Sequence, residues 1–472
     1  MGFFKAYDMR GTFGVDFDLD VVYRVGRALP MVVTPGAVRP RWLVGRDCRT
    51  TGDDVHDALV KGLSESGAEV FDLGLCTTPM VYYFTAADGF DGSVMITASH
   101  NPPGDNGLKV SKATALPVGY ANGLDEVERL AGRDHGGGAT VGDRHPTSGA
   151  TVRRATFDLD GCLARYVAWQ REHCGDFSGL RYAVDCSNGM ASLLVRELFP
   201  GAVVMNDTLD GAFPAHSPNP LKAEAREQIA KVVRENGLDC GVIFDGDADR
   251  AMFVDERGEF VQPDYLIPIV ARATRLSTLN SQPTNSQLTT LNSPKVLHDV
   301  RTSRGAIEAL REDGFEPSVV QVGHAFAKPA MRERGALCGG ELAGHYYFSE
   351  FFGCDSGVLA ARRILSEVAK AKASGMTFGE MMRPISSRYA NSGEMNFKVD
   401  DKDAAIGRVL TAAKAFGPET GRCEIDGTRL EFEDGWINVR KSNTEPYLRL
   451  IAERRGDVAP WVDALKRAVD AR

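Results

Sequence analysis

The chain has 472 residues, 43% hydrophobic and 25% charged, which is enough for several buried cores and, at about 150 residues per domain, for about two to four domains. This composition excludes collagen, coiled coil and general disorder, and the lack of any apolar run of about 18 residues argues against a transmembrane helix. A net charge of −9 argues against general nucleic-acid binding, so an anionic ligand would need a local cationic pocket.

Taken in chain order, Met1 to Ala6 shows no charged start, apolar core and cleavage site, so no signal peptide is expected. Gly2 is not followed by the Ser or Thr that myristoylation wants, because Ala6 stands there. Strand, amphipathic helix and strand are predicted at 42–45, 54–66 and 69–73. The same rhythm returns at 181–185, 191–199 and 202–205, and again at 295–298, 303–313 and 318–321. Such alternation implies parallel or mixed sheets covered by helices. A Gly-rich stretch near 134–148 reads as a linker, and the Ser-, Thr-, Asn- and Gln-rich stretch 277–294 as a low-complexity surface insertion. After about Ser374 the rhythm stops, and a separate α+β domain ending in a helix at 461–469 is expected. The resulting division is 1–148, 149–258, 259–374 and 375–472. The nine cysteines form no Cys-x-x-Cys pair, which argues against a disulfide framework or zinc site and for a reducing cytoplasm.

Several short segments carry chemistry. Asp245-Gly246-Asp247-Ala248-Asp249-Arg250 follows a buried-strand pattern. Three carboxylates so close repel unless a hard cation lies between them, and oxygen-only ligands suit Mg²⁺. Thr97-Ala98-Ser99-His100-Asn101-Pro102-Pro103 also follows an apolar run and presents a hydroxyl as a nucleophile candidate, although a serine in a turn is usually only a turn residue. Lys109 stands as a general base or phosphate contact, or as a surface lysine. Arg440-Lys441-Ser442-Asn443-Thr444 combines cations, hydroxyls and an amide suited to a phosphate dianion. Glu341 and His345, within Gly339-Gly340-Glu341-Leu342-Ala343-Gly344-His345, offer acceptors for sugar hydroxyls. No one segment holds a complete site, so a cleft between domains is expected.

With these segments, the chain closely resembles the α-D-phosphohexomutase family of phosphomannomutases, phosphoglucomutases and phosphoglucosamine mutases. The resemblance spans essentially the whole chain. It includes Tyr7-Asp8-Met9-Arg10-Gly11, Gly45-Arg46-Asp47, Thr78-Pro79, Asp185-Cys186-Ser187-Asn188-Gly189, Asp210-Gly211-Ala212-Phe213-Pro214 and Gly323-His324. It implies three similar α/β domains with mixed sheets and a fourth, TATA-box-binding-protein-like α+β domain, arranged as a heart around a cleft. It implies that Ser99 carries the transferred phosphoryl group. It further implies that Ser99, Asp245, Asp247 and Asp249 bind Mg²⁺, and that Arg10, His100 and Lys109 surround the transferring group. Arg250, Arg301, His324, Glu341 and His345 would contact the substrate, and Arg440, Ser442, Asn443 and Thr444 its non-reacting phosphate.

The implied reaction interconverts hexose 6-phosphate and hexose 1-phosphate, mannose first and glucose second, with hexose 1,6-bisphosphate as intermediate and activator. The implied setting is a cytoplasmic monomer or homodimer with no nucleic-acid or membrane partner. Phosphoglucosamine mutase, a metal-dependent phosphatase and a non-catalytic sugar-phosphate-binding homologue are the alternatives. Two departures stand out. Ala343 replaces the family's serine, losing one hydroxyl worth about 1 kcal/mol of hydrogen bonding. Arg301 stands where some relatives carry lysine, which keeps the charge but changes the geometry.

Overall fold

One strand plan is used three times. In each of the first three sheets a central strand is flanked on both sides by parallel strands, and one of those turns back through a hairpin to an antiparallel partner. The central strands are Arg41–Arg46, Tyr182–Asp185 and Lys295–Asp299. Their parallel neighbours are Glu69–Leu75 and Gly92–Ile96, Val203–Met205 and Cys240–Phe244, and Glu316–Val320 and Cys338–Gly340. The hairpin partners are Asp105–Lys112, Ala251–Asp255 and Tyr346–Phe348. These come from a computed structural model that describes residues 2–133, 154–156, 158–280, 293–442 and 446–471. The linker at 134–148 and residues 281–292 of the insertion lie outside the described residues, while 277–280 complete the helix Ile267–Asn280.

The sheet interiors read as continuous apolar runs because both faces are covered. Every residue of Gly92–Ile96 and of Cys240–Phe244 is buried. The helix Thr78–Ala87 is apolar all round and buries eight of its ten residues. It joins Gly357–Ala373 in one large core that runs through all three α/β units. The helix predicted at 191–199 is instead a 3₁₀ turn, Met190–Leu193, and a single turn, Val195–Leu198. Its entry is held by packing: a Cβ on Gly189 would lie 2.5 Å from the Gly246 carbonyl oxygen.

The fourth sheet is antiparallel, ordered Ala390–Asn391, Leu448–Arg454, Gly435–Lys441, Thr428–Glu431 and Gly421–Cys423, with Met395–Phe397 also paired to Leu448–Arg454. Helices Lys402–Ala413 and Ala459–Asp470 close its own core. Three α/β units and one α+β unit are thus the observed fold class. The helix Phe378–Ser386 precedes this sheet and buries Phe378, Met382 and Ile385 in the large core. Polar contacts join the fourth unit to the third. Arg304 donates to the carbonyls of Phe432 and Gly435 at 2.8 Å each, and Arg429 Nη1 donates to those of Val300 and Thr302 at 2.7 and 2.8 Å. Among the described residues no helix is long and apolar enough to cross a membrane, and all nine cysteines are unpaired.

Each central strand ends on, or in the first unit just before, an aspartate that accepts the backbone N–H two residues on: Asp47 from Arg49, Asp185 from Ser187 and Asp299 from Arg301. In the first and third units that second residue is an arginine paired with the aspartate. The second unit has Ser187 there, and His216 Nε2 meets Asp185 instead at 3.1 Å, while Nδ1 meets the Ser217 carbonyl at 2.9 Å. Both partners are acceptors, so the ring is held as imidazolium. Burial opposes that charge, but Asp185 and the carbonyl outweigh it and raise the pKa above 6.5. A raised value stabilises the fold fully below the unfolded value, and the contribution fades as pH climbs through the folded one. His216→Asn should therefore lower the melting temperature more at pH 6 than at pH 9. An equal loss at both would remove the charge from the account.

Candidate active site

Three of the candidate loops occupy hairpin turns. Thr97–Gly104 links the first unit's hairpin strands, Asp245–Arg250 the second's and Glu341–His345 the third's, while in the fourth sheet Arg440 and Lys441 pair with Arg449 and Leu448. The repeated strand plan therefore delivers three chemically different loops to equivalent positions.

Ser99 is 1% exposed and has φ 53°, a left-handed conformation that a non-glycine residue holds only when its surroundings insist. Its N–H donates to Thr97 Oγ1 at 2.7 Å, and Thr97 Oγ1 donates to Asp47 Oδ2 at 2.6 Å. Arg49 supplies the rest. Its Nη2 donates to the carbonyls of Ser99 and Asn101 at 2.8 and 2.7 Å, and its Nη1 to those of Pro102 and Asp105 at 2.7 Å each. Its Nε lies 3.2 Å from Asp47 Oδ2, and both side chains are fully buried. One guanidinium thus ties down the whole serine loop.

The acidic loop meets the serine directly. Ser99 Oγ donates to Asp245 Oδ2 at 2.9 Å, and His100 Nδ1 is 3.3 Å from the same hydroxyl. A Cβ on Gly246 would lie 2.7 Å from the Ser99 carbonyl oxygen, so only glycine permits this approach. The aspartates are clustered by a tight turn with Ala248 at φ 60°. All three are fully buried, with carboxylate oxygens within 4.8 Å of one another. Thr78 Oγ1 donates to Asp247 Oδ2 at 2.5 Å, and Lys109 Nζ reaches Asp247 and Asp249 at 2.7 and 2.6 Å. Asp247 Oδ1 and Asp249 Oδ1 have no hydrogen-bond partner among the described residues. Two orphaned carboxylate oxygens beside a serine hydroxyl fit a hard divalent cation. Burial and the charges of Asp249 and Asp247 push Asp245 well above the usual carboxylate range, the strain that such a cation relieves.

Lys109, a general-base candidate, is placed here as an ammonium. Burial opposes its charge, but Asp247 and Asp249 outweigh that and raise its pKa. Arg10 is paired with Asp8, and its Nη1 lies 3.4 Å from Asn101 Oδ1.

The third unit's loop joins this group. Arg250 Nε donates to His345 Nε2 at 2.9 Å, so that nitrogen is bare, and Nδ1–H faces Asp355 Oδ2 at 2.8 Å. Lys328, 1% exposed, holds the other side of Asp355 at 2.8 Å. Glu341 accepts from Tyr347 Oη at 3.0 Å and from Gly323 N at 3.1 Å, and burial raises its pKa. The His324 ring lies 6.0 Å from that of His345, and burial, with Lys328 and Lys109 nearby, holds it neutral by driving its pKa well down. The same causes act on His100, with burial first, then Arg250 and Arg10.

Arg301 and Arg440 form a second cluster around Glu394. It connects to the sugar loop where Asp299 Oδ2 accepts from Leu342 N at 3.0 Å. Ser442 N donates to the Tyr447 carbonyl at 2.9 Å, and Asn443 and Thr444 lie outside the described residues. Ser99, His100, Lys109, Asp245, Asp247, Asp249, Arg250 and His345 thus form one connected group. Arg49, Lys328, Asp355 and Glu394 were not singled out from the sequence. A signal for Arg49 existed: Asp-x-Arg follows the central strand at both Asp47-Cys48-Arg49 and Asp299-Val300-Arg301.

Comparison with known proteins matches the four units. Family profiles described as phosphoglucomutase/phosphomannomutase, alpha/beta/alpha domains I, II and III, match residues 1–133, 167–258 and 262–389, and the corresponding C-terminal domain matches 394–470. A phosphomannomutase of Salmonella montevideo is 33% identical over 475 residues, covering 99% of this chain and 97% of that one. A Xanthomonas campestris pv. campestris (strain B100) protein named "Phosphohexose mutases" is 36% identical over 460 residues, covering 97% and 96%. The crystal structure of a phosphoglucomutase/phosphomannomutase family protein from Burkholderia thailandensis has a TM-score of 0.81 at 27% identity, covering 100% of this chain and 97% of that one. With each profile falling on one of the observed units and the relatives aligned from end to end, the chain belongs to the phosphoglucomutase/phosphomannomutase family.

Proposed function

We propose that the protein is a phosphohexomutase that interconverts mannose 6-phosphate and mannose 1-phosphate, with the glucose phosphates as a second substrate pair. The observation that carries this reading is the placement of Ser99 Oγ 2.9 Å from Asp245, at the edge of a buried three-carboxylate cluster with two orphaned oxygens. The phosphomannomutase name of the Salmonella montevideo relative points to the same sugar.

Ser99 carries a phosphoryl group and gives it to the free hydroxyl of the bound hexose monophosphate. The P–O bond to Ser99 breaks as the bond to the sugar oxygen forms, and the hydroxyl proton passes to a base within the site. The product is a hexose 1,6-bisphosphate, which turns over in the cleft and returns its other phosphoryl group to Ser99. Asp245, Asp247 and Asp249 would hold Mg²⁺, which when bound supplies charge stabilisation at the serine-side oxygens. Arg10, His100, Lys109 and Arg250 orient the phosphoryl oxygens. Glu341, His345 and His324 receive the sugar hydroxyls, with Ala343 leaving one contact unmade. Arg440, Ser442, Asn443 and Thr444 hold whichever phosphate is not reacting. Such a cycle needs water kept out, so closure of the fourth unit over the sugar belongs to it.

The deciding assay presents mannose, glucose and glucosamine 1-phosphates side by side, with hexose 1,6-bisphosphate and Mg²⁺. The highest kcat/KM is expected on mannose 1-phosphate, with activity lost on chelation and restored by Mg²⁺. A preference for glucosamine 1-phosphate would reassign the substrate, and release of inorganic phosphate without isomerisation would reveal a phosphatase.

A further inference from the structure

Glu394 lies between the strands Ala390–Asn391 and Met395–Phe397, outside every segment to which the sequence assigns chemistry. Its carboxylate gathers arginines from two units. Arg440 Nη2 donates to Oε1 at 2.9 Å, Arg449 Nη1 donates to Oε2 at 3.0 Å, and Arg301 Nη1 approaches Oε1 at 3.3 Å. Although burial opposes its charge, Arg301, Arg440 and Arg449 hold Glu394 ionised, down at about 2. Arg301 also pairs with Asp299 at 2.6 Å, and Asp426, which accepts from Val322 N at 3.1 Å, lies within the fields of Arg440 and Arg301. Three guanidinium groups are therefore paired with two carboxylates, those of Glu394 and Asp299. Arg440 is 2% exposed, yet its Nε has no hydrogen-bond partner among the described residues.

A guanidinium fork is a strong phosphate ligand. Here each fork already gives an N–H to a carboxylate that an incoming dianion must compete with and be repelled by. The proposed cycle makes use of such an arrangement, because the bisphosphate must let go of one phosphate before it presents the other. We infer that Glu394 is a positioning residue that aligns Arg440 and Arg449 while weakening their grip on phosphate, so that the intermediate can turn over. The inference rests on the reading of Arg440 as a phosphate contact.

The test compares Glu394→Gln, Glu394→Asp and Arg440→Gln in the full chain, using calorimetric binding of inorganic phosphate and steady-state kinetics on mannose 1-phosphate. Removing a carboxylate charge next to the pocket should tighten phosphate binding about tenfold in Glu394→Gln. KM and kcat should fall together, since tighter holding slows turnover. Glu394→Asp, which keeps the charge but withdraws it by one methylene, should change phosphate affinity in the same direction by about two- to threefold. If Glu394→Gln does not fold, the sign of the Glu394→Asp change decides. A carboxylate serving only as a strut would give the opposite result, with weaker phosphate binding and a higher KM. That outcome, or no change, overturns the inference while the phosphate-loop reading stands, provided Arg440→Gln weakens phosphate binding. If Arg440→Gln binds inorganic phosphate as the wild type does, the phosphate-loop reading itself fails and the inference goes with it.

Discussion

Ser99→Ala should lower mutase turnover by at least about a thousandfold and leave the protein without a phosphate by intact-mass measurement. The size of the effect follows from what else is present. The nearby hydroxyls are committed: Thr97 donates to Asp47, and Thr78 donates to Asp247. Neither is free to carry a phosphoryl group in place of Ser99 Oγ, which alone among them lies against Asp245. The rest of the site survives the change, since the turn is anchored by the Ser99 backbone N–H and carbonyl, which the substitution leaves in place. The fold should therefore melt normally while the chemistry stops. Turnover near that of the wild type would refute the assignment.

The second large effect is expected at Arg49. Arg49→Met keeps most of the side-chain volume but removes the donors that four loop carbonyls use, and it leaves Asp47 buried without its cation. Breaking a buried pair from one side costs about 3–5 kcal/mol, because the remaining charge is uncompensated. Asp47 already has its pKa raised by burial, against the pull of Arg49, so removing the arginine should drive it to protonate. A protonated Asp47 is a poorer acceptor for Thr97, and the left-handed turn at Ser99 loses its anchor. The expected result is an earlier unfolding transition by thermal or denaturant melting, together with loss of turnover even at temperatures where the fold persists. Arg49→Lys restores the charge but not the fork, and should recover stability more than activity. A stable Arg49→Met protein with unchanged turnover would show that the loop holds its shape without the clamp.

Much of the protein could be read from local sequence. The strands at 42–45, 69–73 and 295–298 appear nearly as expected, because short runs rich in β-branched, aromatic and other apolar residues, alternating with helical patterns, have few other stable outcomes in a protein of this size. Ser99 and the aspartates of the acidic loop were each picked out from a short polar run after an apolar strand, His345 from a Gly-rich run, and the structure brings them into one connected group. The segment at 191–199 misled, since packing of its entry at Gly189 against the acidic loop decided its form. Local reading left Lys109 as a general base, a phosphate contact or a surface lysine, and the structure buries it in ion pairs with Asp247 and Asp249 of the second unit.

What the order of residues specified unaided was the alternation of strand and helix and the chemistry of each hairpin loop, for these depend on neighbours a few positions apart. Which loops meet, and what holds them, was decided by tertiary structure. Arg49 reaches carbonyls more than fifty residues away, and Glu394 binds Arg301 across 93 positions. Such pairings are selected by the shared core and by the energetic demand that every buried charge find a partner, and that demand exists only once the chain has folded.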